Sequence, residues 1–329
     1  MARPLRHSIR FGLLAVAAGV GLAVFPEGSH AAPDWELVEL REQLADLSDA
    51  LRDDSPLRDQ DLPYLLDGMD IPELSDLAIP APAKTGPPEP ANIRWTDKRY
   101  ALAAMSQIYG GSGNKLVLEA GRPGNHEAIE ITSGDLTLAD LRDRLTARHL
   151  GRDPDTGASV LRVPLVIGRK AKLRLADGDK LYLSQGDGAF LVNFGRLEVV
   201  GGEISADHDH DLEAQEFSPF VVSVGSGTVR LSDATFRKLG FGYTAKFAGF
   251  SILSHPTMAP TDRNLIERSR FEDIVTVALV GIRHAEINGN RFFEMRRNPL
   301  LIAQSPDSLI QANLFSGDSP TNAVRVANG

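Results

Sequence analysis

The segment at residues 284–292 (HAEINGNRF) is one of five that superpose without gaps and together decide the fold. The other four are residues 196–204 (RLEVVGGEI), 228–236 (TVRLSDATF), 263–271 (RNLIERSRF) and 307–315 (DSLIQANLF). In all five the fourth position is aliphatic, the seventh is small or Asn, and the ninth is Ile or Phe. The first residues of successive segments are 32, 35, 21 and 23 positions apart, so the two longer intervals leave room for loops.

Repeats of about 20–25 residues that contain only short strands and turns predict a parallel β-helix. We expect the fourth and ninth side chains to point inward and to stack on the equivalent side chains of the neighbouring coils. A small residue or Asn at the seventh position lets the chain bend, and Asn side chains can hydrogen-bond between coils. Leucine-rich repeats need several Leu per repeat, and propeller blades need about 40 residues, so neither fits.

The first 31 residues have the layout of a secretory signal peptide. Arg3, Arg6 and Arg10 precede an apolar run at residues 11–25, and small residues lead up to a cleavage point before Ala32. An apolar run of this length is short for a membrane span, which needs about 20 residues. An uncleaved anchor remains the alternative, but we expect an exported, periplasmic protein with no membrane span after cleavage.

Four further segments are expected after the signal peptide. Residues 32–70 form an acidic helical segment whose Leu residues repeat with heptad spacing, and residues 71–91 are a Pro-rich linker. Residues 92–160 form a small α+β capping module. In it, residues 115–120 and 127–131 read as strands, and Thr137 with Asp140 forms a capping box that opens a helix over residues 138–150. Residues 161–329 form the parallel β-helix, which could be truncated because no cap follows residue 329 in this sequence.

Composition excludes several classes of protein. The chain has 329 residues and no Cys, which rules out disulfide scaffolds, thiolate zinc sites and Cys nucleophiles. The net charge of −9 argues against a general nucleic-acid binder. Three Arg and twelve Asp and Glu fall within residues 33–70, so the acidic excess is concentrated there. Between Gly225 and Arg325, twelve Lys and Arg exceed nine Asp and Glu, which weakly favours polyanion binding in that part.

Five motifs of the chain resemble those of the mannuronan C5-epimerases of alginate-type biosynthesis. They are residues 163–167 (VPLVI), 188–193 (GAFLVN), 216–220 (EFSPF), 236–241 (FRKLGF) and 288–292 (NGNRF), so the resemblance covers residues 128–315, about half the chain. It implies a right-handed parallel β-helix in the periplasm that acts on polymeric mannuronate and protects the nascent polymer. The predicted fold class is therefore mainly β, with a small α+β N-terminal cap and an acidic N-terminal helix.

The family's reaction sets chemical requirements that can be checked in the sequence. The uronate carboxylate must be neutralised, a base commonly supplied by His removes the C5 proton, and an acid returns a proton on the other face. The family carries its His in an Asp-Pro-His-Asp motif one coil after the Gly-Asn pair. Here that coil is residues 298–305 (NPLLIAQS), which contain neither Asp nor His, and the following coil carries Arg325 as its basic residue.

The candidate site residues follow from these requirements. Arg283, Arg296, Arg297 and Arg325 are expected to bind substrate, because the guanidinium fork matches a carboxylate. His284 is a weak candidate for the catalytic base, and solvated turn residues are the alternative reading for Arg283, His284, Arg296 and Arg297. Residues 207–211 (DHDHD) invite a metal site, but we expect a hydrated acidic loop, with no metal and no cofactor.

Three functions remain open at this point. The first is a periplasmic protein that binds or guards an acidic exopolysaccharide, a polyuronate, and works with other exopolysaccharide export proteins. The second is an active mannuronan C5-epimerase or a lyase-like relative, and the third is an adhesin-like surface solenoid. Whether the protein is an enzyme stays undecided, because the expected catalytic His is absent.

Overall fold

The structure is a computed structural model that describes residues 89–110, 113–121, 124–207, 217–242, 244–254, 262–317 and 322–327. The predicted signal peptide and acidic helical segment lie outside these residues, as do most of the Pro-rich linker and residues 208–211 of the acidic motif. In the described part of the chain, no helix is long and apolar enough to cross a membrane.

The N-terminal elements alternate short strands and helices. In order they are β1 (Asn92–Asp97), α1 (Lys98–Ile108), α2 (Asn114–Glu119), β2 (Glu127–Thr137), α3 (Leu138–Arg144), β3 (Leu150–Arg152) and β4 (Ser159–Leu161). β1 pairs antiparallel with β2, and β3 pairs antiparallel with β4. β2 pairs in parallel with the next strand, β5 (Leu165–Leu175), so this module shares a sheet with the coils that follow.

The remaining strands form three parallel faces, which confirms the predicted parallel β-helix. Face I contains the first half of β5, β7 (Leu191–Asn193), β10 (Val221–Val224), β13 (Gly249–Leu253), β16 (Thr276–Val280), β19 (Leu300–Ala303) and β22 (Val324–Ala327). Face II contains the second half of β5, β8 (Arg196–Val200), β11 (Thr228–Ser232), β14 (Asn264–Glu267), β17 (Ala285–Asn288) and β20 (Leu309–Gln311). Face III contains β4, β6 (Lys180–Leu183), β9 (Glu203–Ala206), β12 (Thr235–Arg237), β15 (Arg270–Glu272), β18 (Arg291–Phe293) and β21 (Leu314–Ser316).

The predicted columns of stacked side chains are present in register. On face II the fourth repeat position forms the column Val199, Leu231, Ile266, Ile287 and Ile310. On face III the ninth position forms the column Ile204, Phe236, Phe271, Phe292 and Phe315. The four Phe rings stack with centroids 5.5, 5.2 and 4.7 Å apart. Such pairs contribute about 0.5–1.5 kcal/mol each beyond the burial of their area, so this column is a main element of the core.

The seventh repeat position forms the hydrogen-bonded ladder that the Asn pattern predicted. The Ser269 amide donates to Asn290 Oδ1 (2.9 Å), and the Asn290 amide donates to Asn313 Oδ1 (3.0 Å). The Asn290 side chain also donates to the Ile266 carbonyl (2.8 Å). The bend takes the backbone amides of Ser269 and Asn290 out of the strand ladder. Both amides are instead hydrogen-bonded to the next coil, as a backbone donor in the interior requires.

The capping module was predicted correctly in part. The strand at residues 127–131 and the Thr137–Asp140 capping box are confirmed, with both reciprocal bonds present, but α3 ends at Arg144. The prediction of a strand at residues 115–120 was wrong, because these residues belong to α2 and its C-cap. Val117 is fully buried while Leu116 is exposed, so the helix buries one side only. In a segment this short, the pattern of apolar residues does not distinguish a helix from a strand.

A helical layer covers the outer side of face I. Ala101, Leu102 and Met105 of α1 and Val117 of α2 pack on outward side chains of β5, β7 and β10, together with a cluster of Phe residues. Phe220 contacts Phe190 in a stacked arrangement at 4.9 Å and Phe247 edge-on at 5.0 Å. Face I is therefore buried on both sides along its first strands, which positions a cleft farther along the same face.

Candidate functional site

Arg283 and His284 lie together at the corner between faces I and II, after β16. Both side chains are exposed, and His284 has a left-handed backbone conformation with φ of 55°. Neither residue lines the cleft described below. The structure therefore does not bring His284 together with Arg297 and Arg325.

Arg296 lies at the corner between faces III and I, and its guanidinium points into the protein. Its side chain is 10% exposed and its Nε lies 3.0 Å from Asp273 Oδ1. It also donates to the carbonyls of Leu239 (2.8 Å), Gly240 (3.1 Å) and Asp273 (2.9 Å). Burial lowers the pKa of this guanidinium from its ordinary value, yet an Arg stays charged in a protein. Arg296 thus ties two earlier turns together.

Arg297 and Arg325 lie on the same cleft, which opens on the outer side of face I. The face I cleft has a volume of about 300 Å³. Arg297 lies at the corner before β19, and Arg325 points outward from the middle of β22, in register with Leu301. No ion pair to Arg325 occurs within the described residues, and its side chain is exposed. The cleft therefore has a cationic rim.

The floor of the face I cleft is mostly apolar. It is lined by Val275, Val280, Leu301, Ala303 and Ala327, with the hydroxyl of Thr276 and the amide of Asn298 at its edge. Leu301 and Ala303 are the outward residues of β19. Among the described residues that line this cleft, none is His, Asp or Glu.

The opposite wall of the cleft comes from residues that the sequence did not single out. The clasp loop (residues 239–249, of which residue 243 is not described) contributes Gly242, Thr244, Ala245 and Ala248, and the end of α1 contributes Tyr109. The Phe241 amide donates to the Phe247 carbonyl (2.8 Å), which closes the loop on itself. A Cβ on Gly240 would lie 2.4 Å from the Gly249 nitrogen, so the closure requires Gly there. In the sequence, the only feature that could have indicated this loop was its three Gly residues, Gly240, Gly242 and Gly249.

Lys246 fastens the clasp loop to the helical layer. Its side chain is fully buried, its Nζ lies 3.1 Å from Asn114 Oδ1, and it lies 5.2 Å from the Phe247 ring centroid. Burial lowers the pKa of the Lys246 ammonium. Phe247 fills the space beside Gly113, where a Cβ would be 2.7 Å from its ring. Arg296 fixes the start of the clasp loop through the carbonyls of Leu239 and Gly240, and Lys246 fixes its later part to α2.

The described residues contain no group of three His, Asp or Glu placed to hold a metal ion. Most of the acidic motif at residues 207–211 lies outside them, so its role as a hydrated loop stays a prediction.

Two curated relatives share extended sequence similarity with this chain. A mannuronan C5-epimerase of Pseudomonas aeruginosa is 31% identical over 198 residues, which are 58% of this chain and 36% of that protein. A mannuronan C5-epimerase of Pseudomonas putida is 26% identical over 294 residues, 82% of this chain and 51% of that protein. The chain therefore spans about a third of one relative and about half of the other. No protein-family model matches it.

Solved structures share the fold. The crystal structure of the periplasmic alginate epimerase AlgG matches with a TM-score of 0.55 and 20% identity, covering 68% of this chain and 57% of that one. A double mutant of AlgG matches with a TM-score of 0.58, also at 20% identity, covering 70% of this chain. At this identity the structural likeness establishes the β-helix fold.

Proposed function

We propose that this chain, a mannuronan C5-epimerase-like protein by sequence and fold, binds an acidic polysaccharide of the polyuronate class in the face I cleft. The observation that carries the proposal is the pair Arg297 and Arg325 on the rim of a cleft whose described lining has no carboxylate. A polyuronate carries one carboxylate per sugar, and Arg binds carboxylates through two parallel hydrogen bonds. The relatives are named for acting on such a polymer.

The floor suits the other part of the ligand. A pyranuronate ring has apolar C–H faces beside its charged group, and Leu301, Ala303 and Val280 give the cleft apolar side chains on which such a face can pack. The hydroxyl of Thr276 and the amide of Asn298 line the cleft and can pair with ring hydroxyls.

Export and partners remain proposals that rest on the sequence. The N-terminal 31 residues have the pattern of a secretory signal, and the AlgG structures that share this fold are described as periplasmic. We propose that the protein meets its polymer in the periplasm, alongside other exopolysaccharide export proteins.

Binding is tested by titrating the purified protein with oligomannuronate, oligoguluronate and a neutral mannan. We expect binding of the uronates that weakens with salt and no binding of the mannan, because exposed ion pairs are screened. Arg297→Ala with Arg325→Ala removes two contacts at a solvated rim and should weaken binding roughly 10- to 100-fold, from about 0.7–1.4 kcal/mol per contact. The charge-matched control is Lys170→Ala with Arg291→Ala, two exposed cations that do not line the cleft. Equal losses in the two variants would show that the site lies elsewhere.

Epimerisation is the second candidate, favoured by the 31% identity to a named epimerase. The reaction breaks the C5–H bond by giving the proton to a base and reforms it on the opposite face with a proton from an acid. Tyr109 is the one described lining side chain with a titratable proton, besides the two Arg. The test is exchange of H5 of polymannuronate with solvent deuterium, followed by NMR. Exchange above that of a protein-free blank would show that the protein is an epimerase. No exchange by a protein that still binds the polymer would show that it only binds.

A further inference from the structure

The outer side of face I changes from fully covered to open along one column of residues. In strand order the column is Val166, Val192, Val222, Ser251, Ala278, Leu301 and Arg325, each in register with the next. Val166 is 5% exposed, and the next four are at most 1% exposed. Leu301 is half-buried and Arg325 is exposed. The second outward column repeats the change, because Leu253 is fully buried, Val280 is 7% exposed and Ala303 is half-buried.

The cover has a firm edge at the face I cleft. Ser251 Oγ donates to the Ala245 carbonyl (2.5 Å), so the clasp loop crosses directly over β13. Tyr109 and Thr244 stand at this edge and line the cleft. Behind them, Phe220, Phe241 and Phe247 fill the space between the loop and the helical layer, with the Phe241 and Phe247 rings stacked at 5.1 Å. This wall is a packed core, so a ligand cannot pass through it without unfolding it.

We propose that the face I cleft binds the end of a polyuronate chain, because a polymer lying along face I meets this wall on one side. On the other side, toward β22, the face is exposed in the described residues, and Arg325 lies along that direction. The terminal sugar rests on Val280 and Leu301 against Tyr109 and Thr244, and the chain continues past Arg325. This inference rests on the proposed polyuronate binding and specifies which part of the polymer is recognised.

The test uses the wild-type protein and polymannuronate cut by acid hydrolysis into fractions of decreasing mean length. Each fraction displaces a fluorescently labelled oligomannuronate from the protein, followed by anisotropy. If the cleft takes chain ends, the mass concentration needed for half displacement falls in proportion to the mean chain length, since the number of ends per gram rises. If the cleft takes internal stretches, that mass concentration stays constant.

The outcomes separate this inference from the binding proposal. Displacement that depends on mass alone overturns the chain-end inference and leaves polyuronate binding intact. Failure of every fraction to bind overturns both. The Arg297→Ala, Arg325→Ala variant should bind the labelled oligomannuronate itself roughly 10- to 100-fold more weakly. The Lys170→Ala, Arg291→Ala control should bind it as the wild type does and keep the same dependence on chain length.

Discussion

Arg296 and Arg297 are adjacent in the chain, and their side chains take different roles. The Arg296 guanidinium is directed inward onto three backbone carbonyls and Asp273, whereas Arg297 lines the cleft. The sequence predicted that both residues bind substrate, together with Arg283 and Arg325. The structure instead supplies Arg297 and Arg325 as neighbours on one cleft, with Arg296 holding the start of the clasp loop.

Replacing Arg296 should destabilise the fold. Arg296→Ala leaves the carbonyls of Leu239 and Gly240 without this donor and the carboxylate of Asp273 without this charge partner. Leaving a buried carbonyl acceptor without a donor costs about 1–3 kcal/mol, and the ion pair adds little because the Asp273 side chain is 35% exposed. Urea unfolding should show this loss, with Arg296→Lys intermediate because an ammonium lacks the planar fork. The exposed Arg291→Ala is the control and should change stability by less than about 0.5 kcal/mol. Equal effects of Arg296→Ala and Arg291→Ala would contradict the structural role.

Glu267 gives the stability a pH dependence of known sign. Its side chain is 5% exposed, and burial raises its pKa, opposed by Arg268 and Arg230 and assisted by Glu286 and Asp233. A raised carboxyl pKa means that the folded state holds the proton more tightly than the unfolded state. The stability from this group is therefore present below the unfolded pKa and is lost as pH rises through the folded pKa.

Comparison with Glu267→Gln isolates that effect from the other carboxylates. The variant should be more stable than the wild type near pH 7, because Gln needs no proton to stay neutral. The advantage should vanish below about pH 4, where Glu is protonated in both states. Urea unfolding of both proteins across this range measures the difference. If the free energies of unfolding of the two proteins differed by the same amount at every pH, the pKa of Glu267 would be the same in the folded and unfolded states.

At the scale of the strand and turn, the corner between faces II and III requires a left-handed residue in every coil. The positions are Gly201, Asp233, Arg268, Gly289 and Ala312, with φ of 68°, 52°, 45°, 64° and 52°. The Gly289 amide, for example, donates to the Gln311 carbonyl (3.1 Å) of the next coil. Gly adopts this conformation freely, while a residue with a Cβ pays roughly 1–2 kcal/mol. The same corner is therefore relaxed in one coil and strained in the next.

Exchanging the residues at two equivalent corners should change stability in opposite directions. Gly289→Ala adds left-handed strain, and Ala312→Gly removes it, each partly offset by the entropy of the unfolded chain. We expect Gly289→Ala to lower the free energy of unfolding by about 1 kcal/mol and Ala312→Gly to raise it by about 0.5 kcal/mol. The two midpoints in urea give the test. A change of the same sign in both variants would show that backbone conformation does not dominate this corner.

The columns of the β-helix could be predicted from the sequence, because a solenoid repeats the same chemistry at the same place in each coil. Ile287 and Phe292 have equivalents one coil away in both directions, so their pattern is visible in a single sequence. The wall of the cleft was not predictable in this way. Tyr109 and Thr244 come from single, non-repeated segments, and their meeting depends on packing that no local pattern records. Periodicity also does not encode whether a side chain at a corner is buried, so it did not predict that Arg296 points inward.

At the scale of the whole molecule, residues 92–160 are continuous with the β-helix and also cover part of its outer surface. β2 continues face I and face II into the module, while α1 and α2 lie over the outside of face I. The helical layer thereby sets where the face I cleft begins. The positive excess between Gly225 and Arg325 falls in the coils that carry the cleft, so the proposed polymer-binding cleft lies in the cationic part of the chain.

The most direct test of polyuronate binding at this cleft is hydrogen exchange of the wild-type protein with and without oligomannuronate. A ligand seated as proposed should slow exchange in peptides that cover residues 296–303, 323–327 and the clasp loop, because it excludes water and restrains these segments. Strands β12, β15 and β18 of face III should exchange at unchanged rates. Protection that appears on face III, or oligomannuronate binding that leaves residues 296–303 unprotected, would contradict the assignment of the site.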